Sequence, residues 1–257
     1  MLFRSMIHAL GWEEPVYAHV PLIHGSDGAK LSKRHGALGV ETYRDEMGIL
    51  PEALSNYLLR LGWGHGDDEI ISREQAIEWF DIDAVGRSPS RFDTKKLENI
   101  NGHYLRQADD ARLAALIAPK LAGADVDLLG KAMPVLKVRA KSINDLAAGA
   151  AFLFDVRPLT LDAGASVLLT LESQSILAQA HSALSALTDW TMTALEEAVR
   201  RVAEDAGMGL GKVAQPLRAA LTGRSTSPGI FDVLVLLGRD ETLGRLDDCL
   251  AGRNGAA

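Results

Sequence analysis

The chain has 257 residues, 47% apolar and 24% charged, with 27 basic against 34 acidic side chains and a formal net charge of −7. This is ordinary globular usage, enough for one large domain or two to three smaller ones, and it excludes a disordered or fibrous protein. A single cysteine, Cys249, excludes an internal disulfide and a cysteine-clustered metal site, and the longest apolar stretch, residues 146–154, falls far short of the ~20 residues that cross a bilayer.

In chain order, the apolar residues of Leu2–Leu10 recur at helical spacing and stop at Gly11, which predicts a helix ending on a glycine. The same stretch lacks a sustained apolar region with a small-residue cleavage site, so no secretory signal is expected and a cytoplasmic location is. Val16–Ile23 predicts a strand that runs into the turn-forming Gly25-Ser26-Asp27-Gly28. One strand leaves its backbone groups unpaired, so this segment is expected to be the remnant of a larger α/β domain cut at Met1.

From Pro51 the pattern becomes helical. Pro51–Leu61 opens with a first-turn proline and carries Leu54, Tyr57, Leu58 and Leu61 on one face. Ser72-Arg73-Glu74-Gln75 has capping-box spacing and opens a helix through Ile77, Trp79 and Phe80. Helices are predicted over Thr94–Leu105, Asp109–Leu121, Asp127–Phe154 with a break near Pro134, Leu171–Leu187 and Asp189–Ala206. Pro216–Leu221 reads as a short helix closed by Gly223. Ser227-Pro228 reads as an N-cap and first-turn proline for Gly229–Leu237, Asp240 as the cap of a last helix, and the tail after Leu250 as frayed. Gly62–Asp68 and Gly123–Asp125 are the linker candidates, with borders near residues 40 and 112 that divide the chain into 1–40, 41–111 and 112–257.

Charge is unevenly distributed. Gly28–Val40 holds Lys30, Lys33 and Arg34; Leu128–Asn144 holds Lys131, Lys137, Arg139 and Lys141; Ala206–Phe231 holds Lys212, Arg218 and Arg224, none with a carboxylate. One such island is ordinarily a solvated face, but three in an acidic chain favour a phosphate-rich partner. Lys30-Leu31-Ser32-Lys33-Arg34 follows a strand and a glycine turn, where two lysines three residues apart can meet neighbouring phosphates as charge develops on a leaving pyrophosphate. An exposed basic turn is the alternative. Trp63, Trp79 and Trp190 are assigned to packing, and the seven histidines show no ligand spacing, so no metal site is expected in the chain.

Lys30–Arg34 resembles the signature loop of class I aminoacyl-tRNA synthetases, and His19-Val20-Pro21-Leu22-Ile23 through Ala37 is similar to that loop in glutamyl-tRNA synthetases. Asn56–Trp63, and Phe92-Asp93 with Lys96-Leu97-Glu98, resemble that family's stem-contact region. Gln215–Gly223 followed by Ser227-Pro228-Gly229 resembles the end of the bacterial anticodon-binding domain. The resemblance covers almost the whole chain and corresponds to the C-terminal part of the bacterial-type enzyme.

The resemblance implies a mainly α fold: the remnant of a Rossmann-type α/β catalytic domain (1–40), a helical stem-contact region (41–111) and an all-α anticodon-binding domain (112–257). It implies a ligase that attaches glutamate to tRNA(Glu), with ATP as substrate accompanied by magnesium. Lys30, Leu31, Ser32, Lys33 and Arg34 would bind ATP, with Lys33 the catalytic group on its phosphates. Arg139 and Arg218, on facing helices, would read the anticodon. Ser227 and Pro228 would line its last base, a role compatible with capping. The family's His-x-Gly-His element and its arginine-containing glutamate pocket have no counterpart in this sequence, so ATP and L-glutamate would be held through a missing N-terminal part and the chain alone is expected to be catalytically silent.

A stand-alone tRNA-binding module and a helical protein-interaction scaffold compete with the ligase reading. The signature loop separates the ligase from both, and the basic islands separate the first two from a scaffold. A tRNA-modifying paralogue would lack the helical C-terminal domain, and a glutaminyl enzyme would carry β-barrels there.

Overall fold

The computed structural model describes residues 2–25, 27–31 and 39–256. Among them are thirteen α-helices and four strands of two residues each, so the molecule is mainly α, as the periodicity predicts. None of these helices is long and apolar enough to cross a membrane. The chain forms two compact units, Met1–Tyr43 with Pro51–Ile100, and Arg44–Leu50 with Asn101–Ala257.

In the first unit, helix α1 (Leu2–Ala9) stops before Gly11, whose positive φ of 67° suits a residue without a Cβ. The strand expected over Val16–Ile23 shrinks to β1 (Ile23–His24). Its parallel partner β2 (Ser90–Arg91), unforeseen in the sequence, offers two residues of register, Ile23 to Ser90 and His24 to Arg91. The Leu22 carbonyl still accepts from Ser90 N–H at 3.3 Å, but upstream of it strand propensity finds no partner backbone among the described residues, and Val16 and Val20 stay exposed. After β1 the chain doubles back: Gly25 N–H donates to the Ala29 carbonyl at 2.9 Å and Leu31 N–H to that of Ile23 at 2.8 Å.

Helix α2 (Val40–Asp45) contributes Tyr43 to an aromatic cluster with α3 (Pro51–Arg60). The Phe92 ring lies 5.7 Å from that of Tyr43 and 5.0 Å, edge-on, from that of Tyr57. The buried face of α3 is Ala53, Asn56 and Tyr57; of the predicted stripe only Tyr57 is buried, Leu54 and Leu61 are half-buried and Leu58 is exposed. Hydrogen bonding rotates the helix in this sense. Asn56 accepts from Ile71 N–H at 2.6 Å and donates to the Glu69 carbonyl at 2.8 Å, while the Tyr57 hydroxyl accepts from Asp93 N–H at 2.6 Å. Both polar groups are thereby satisfied inside the core. Helix α4 (Arg73–Trp79) starts on the predicted capping box, Ser72 with Gln75, yet buries none of its residues, and Ile77 and Phe80 are exposed. Helix α5 (Thr94–Gln107) follows.

In the second unit, α6 (Asp110–Ile117), α7 (Val126–Leu136) and α8 (Ile143–Ala150) pack together. After α9 (Ala163–Leu168), helices α10 (Leu171–Ser185), α11 (Met192–Asp205), α12 (Leu210–Thr222) and α13 (Ile230–Leu250) pack on one another. Three sequence expectations are corrected here. The break near Pro134 falls later, between Leu136 and Ile143: this proline sits in the last turn, which still closes through Lys137 N–H to the Met133 carbonyl at 3.0 Å. Helix α12 begins at Leu210, so Pro216 lies inside it; burial of Val213, Leu217, Ala220 and Leu221 on both sides outweighs one lost backbone bond. The tail is not frayed. Gly255–Ala256 (β4) pairs in parallel with Thr160–Leu161 (β3), and Arg253 donates twice to Asp248.

The ends predicted at Leu237 and Asp240 bracket a kink inside α13, where Gly238 adopts φ 73° and ψ 175°, a conformation open essentially to glycine alone. Ser227 is not an N-cap: α13 starts after Gly229, which makes no side-chain capping bond.

Candidate nucleic-acid interface

The expected ATP-binding residues divide between described and undescribed positions. Lys30 is exposed and its backbone forms an isolated antiparallel bridge with that of His24, and Leu31 is half-buried. Ser32, Lys33 and Arg34 lie outside the described residues.

The four anticodon candidates, Arg139, Arg218, Ser227 and Pro228, all lie in the second unit. A cleft of about 190 Å³ is lined by Val135, Arg139, Asp145, Thr226, Ser227 and Pro228, among others. Arg218 joins it through Ser227, whose hydroxyl accepts from the arginine Nε at 2.8 Å and donates to the Pro228 carbonyl at 2.9 Å. Ser227 therefore orients Arg218 in place of capping a helix. With Nε engaged, Nη1 and Nη2 of Arg218 have no partner among the described residues.

Arg139 is not on a helix, contrary to expectation; it stands in the turn after α7. That turn is fixed from several directions. Lys137 Nζ contacts Asp110 at 2.6 Å and donates to the Ala108 carbonyl at 3.3 Å. The fully buried Asn101 donates to the Lys141 carbonyl at 2.7 Å while its own oxygen accepts from Leu50 N–H at 2.8 Å. On the other side, the C-terminal turn of α12 is held by Arg245, 1% exposed, which donates to the carbonyls of Leu221 at 2.6 Å and Phe152 at 2.8 Å. Gly223 ends α12 at φ 68°, and a Cβ there would approach the Thr160 carbonyl oxygen to 2.6 Å.

Electrostatics single this cleft out. Burial, and then the Arg139 guanidinium, hold Arg218 below the usual arginine range. Among the described residues no carboxylate pairs with either cation, so Arg139 lines the cleft, and Arg218 stands behind its Ser227, with donors to spare. Such groups satisfy planar, acceptor-rich partners such as base edges or phosphates. Two members of the basic islands are committed elsewhere, since Lys137 pairs with Asp110 and Arg224 with Asp155 at 3.1 Å. Lys131, Lys141 and Lys212 remain exposed. The cleft residue that sequence reasoning missed is Asp145, just beyond the second island. Its signal was the Ser142-to-Asp145 spacing, which is a helix start. Trp63 is buried, and Trp190 donates its Nε1–H to the Leu234 carbonyl at 2.9 Å, as packing residues do.

Two family models match the chain: the anticodon binding domain over residues 112–250, and the catalytic domain of class I tRNA synthetases for E and Q over residues 2–99. Among curated relatives, glutamate–tRNA ligase 2 of Rhizorhabdus wittichii is 70% identical over 254 residues, covering 96% of this chain and 54% of the relative. Glutamate–tRNA ligase 2 of Novosphingobium aromaticivorans is 62% identical over 258 residues, covering 96% and 53%. A crystal structure of a glutamate tRNA ligase from Elizabethkingia meningosepticum, in complex with its amino acid, superposes with a TM-score of 0.82 at 27% identity, covering 97% of this chain and 54% of that one. The chain thus spans about half the length of the curated relatives it matches. The anticodon-binding model matches more than half of the chain and the class I model for E and Q most of the rest, so, with glutamate–tRNA ligases as its curated relatives, the chain belongs to the glutamyl-tRNA synthetase family of class I aminoacyl-tRNA synthetases.

Proposed function

We propose that this chain is the tRNA-binding portion of a glutamate–tRNA ligase acting in the cytoplasm, with the Arg139–Arg218 cleft receiving anticodon bases of tRNA(Glu). The observation that carries this reading is Arg218: half-buried, beside a second guanidinium, held at Nε by Ser227 and, among the described residues, unpaired at both Nη atoms. Residues 1–40 belong to the catalytic domain, 41–111 to the stem-contact region and 112–257 to anticodon binding. Lys30, Leu31, Ser32, Lys33 and Arg34 contact the phosphates of ATP, with Lys33 acting on the charge that develops in the transition state. L-Glutamate is the other substrate of the whole enzyme. Magnesium accompanies the nucleotide phosphates; among the described residues no group of three or more His, Cys, Asp or Glu side chains could hold a metal ion.

Filter binding of tRNA(Glu) and an anticodon-swapped transcript at two salt concentrations tests the proposal. Arg218→Ala should cost about 1–3 kcal/mol with the cognate transcript and blunt discrimination between the two, whereas Lys212→Ala, touching phosphate only, should weaken both alike. A variant that neutralises one phosphate fewer should flatten the slope of log affinity against log salt by roughly 0.7–0.9. Equal losses for both transcripts on Arg218→Ala would reduce that arginine to a positioning role, and no tRNA binding at any salt would refute the reading.

A further inference from the structure

Among the residues lining the cleft, Asp145 is the anomaly, because a carboxylate repels phosphate and this one shares the lining with Arg139, which attracts it. It is fixed in place. Its Oδ2 accepts from Lys141 N–H at 2.9 Å, and its own N–H donates to Ser142 Oγ at 3.0 Å, which pins the side chain on the first turn of α8. Its Oδ1 has no partner among the described residues. The cleft therefore offers an acceptor, Asp145, and a guanidinium, Arg139, in one lining, with Arg218 joined to it through Ser227 and its Nη atoms free among the described residues.

A phosphate satisfies only the donors. A base edge that places an N–H donor next to acceptors satisfies both. Cytosine has that edge, with its N4 amine beside N3 and O2, and carboxylates accept from N4. Uracil reverses the pattern, with a carbonyl at position 4 and a proton on N3. Adenine presents an amine but only one neighbouring ring acceptor for a two-pronged guanidinium.

We propose that Asp145 is a specificity-determining residue that selects a cytosine in the cleft by accepting a hydrogen bond from its exocyclic amine, while a cleft guanidinium donates to N3 and O2. This rests on the anticodon-binding reading above. The structural alternative, that Asp145 serves only the start of α8, predicts that replacing it weakens all RNAs equally. Asp145→Asn separates the two, because the amide oxygen still accepts from Lys141 N–H while the free position becomes a donor.

The full chain is titrated by filter binding with tRNA(Glu) transcripts in which each anticodon-loop cytosine is replaced singly by uracil or by pyrimidin-2-one, which lacks only the exocyclic amine. At one position the unmodified protein should lose about tenfold in affinity for pyrimidin-2-one, as for one hydrogen bond to a charged acceptor. In Asp145→Asn that loss should vanish, and the preference for cytosine over uracil at the same position should shrink by about tenfold. If the unmodified protein binds pyrimidin-2-one transcripts as tightly as cytosine at every position, the proposal is overturned whether or not the variant folds. Binding that depends on Arg218 but ignores the amine sinks this proposal and leaves the tRNA-binding function standing; no tRNA binding at all sinks both.

Discussion

In the first unit Phe3, Met6, Val16 and Val20 are all more than half exposed, whereas in the second unit Leu113, Ile117, Leu129, Met133, Leu146, Leu177, Leu184 and Leu195 are fully buried. Both sets sit at helical or strand spacing in the sequence. The difference lies in what each stripe meets: α10 to α13 turn their apolar faces to one another, while α1 presents Phe3 and Met6 to solvent. Periodicity marks a face that can be buried, and only a partner surface makes it core.

The second unit also buries charge, and removing it is the severest way to break this contrast. Arg245 donates to the carbonyls of Phe152, Leu221 and Asp155 and to Glu241 Oε1 at 2.6 Å. Arg245→Met should cost the second unit about 3–5 kcal/mol, because it leaves buried carbonyls without donors. Urea unfolding followed by hydrogen exchange would show the loss across residues 101–257 with the first unit unchanged; equal acceleration in residues 51–100 would erase the distinction between the units.

A smaller effect should depend on pH. Asp248 is buried between Arg157, at 2.8 Å, and Arg253, at 2.6 Å. Its hydrogen bond from Arg157, aided by that from Arg253, holds the carboxyl below the usual range against the opposing effect of burial. A depressed folded value means that the contribution is complete above the unfolded carboxyl value and is lost as pH falls through the folded one. Asp248→Asn should therefore cost about 2 kcal/mol at neutral pH, with the gap from the parent protein closing below about pH 4. Melting curves from pH 7 to 3 measure this, and a gap independent of pH would mean that Asp248 acts by packing. Gly244 belongs to the same arrangement, since a Cβ there would collide with the Arg157 guanidinium.

Element type was largely legible in the sequence because caps and apolar spacing are local: Ser72 with Gln75, Gly11 and Gly223 act as their chemistry predicts. What was not legible depends on distant partners. Nothing near Ser90 announces a strand until Ile23 lies beside it, and nothing near Gly255 announces one until Thr160 does. Ser227 carries the signature of an N-cap, but Arg218, nine residues earlier, claims its hydroxyl first. Arg139 and Arg218 could be chosen from charge and resemblance, yet the turn that holds Arg139 is set by Asn101, forty residues from Lys141. Asp145 was hidden for the converse reason: a complete local role as a first-turn acidic residue masks its place on the cleft wall.

The mildest prediction sharpens the comparison from the side of the first unit. In α4, Ser72 Oγ accepts from Gln75 N–H at 3.2 Å and Gln75 Oε1 accepts from Ser72 N–H at 2.9 Å, while no residue of the helix is buried. A helix held by its cap and not by a core should lose its cap without unfolding its surroundings. Ser72→Ala should raise the opening equilibrium of α4 by about 1 kcal/mol, roughly fivefold faster exchange at residues 73–79, and leave the urea midpoint unchanged. The Glu74 carboxyl, held below its ordinary range by its own backbone N–H and then by the Ser72 hydroxyl, should titrate higher in the variant, which carboxyl NMR detects. A fall in the global midpoint would instead mean that α4 is coupled to the Tyr57–Phe92 cluster, and that the first unit is more cooperative than its exposed apolar surface implies.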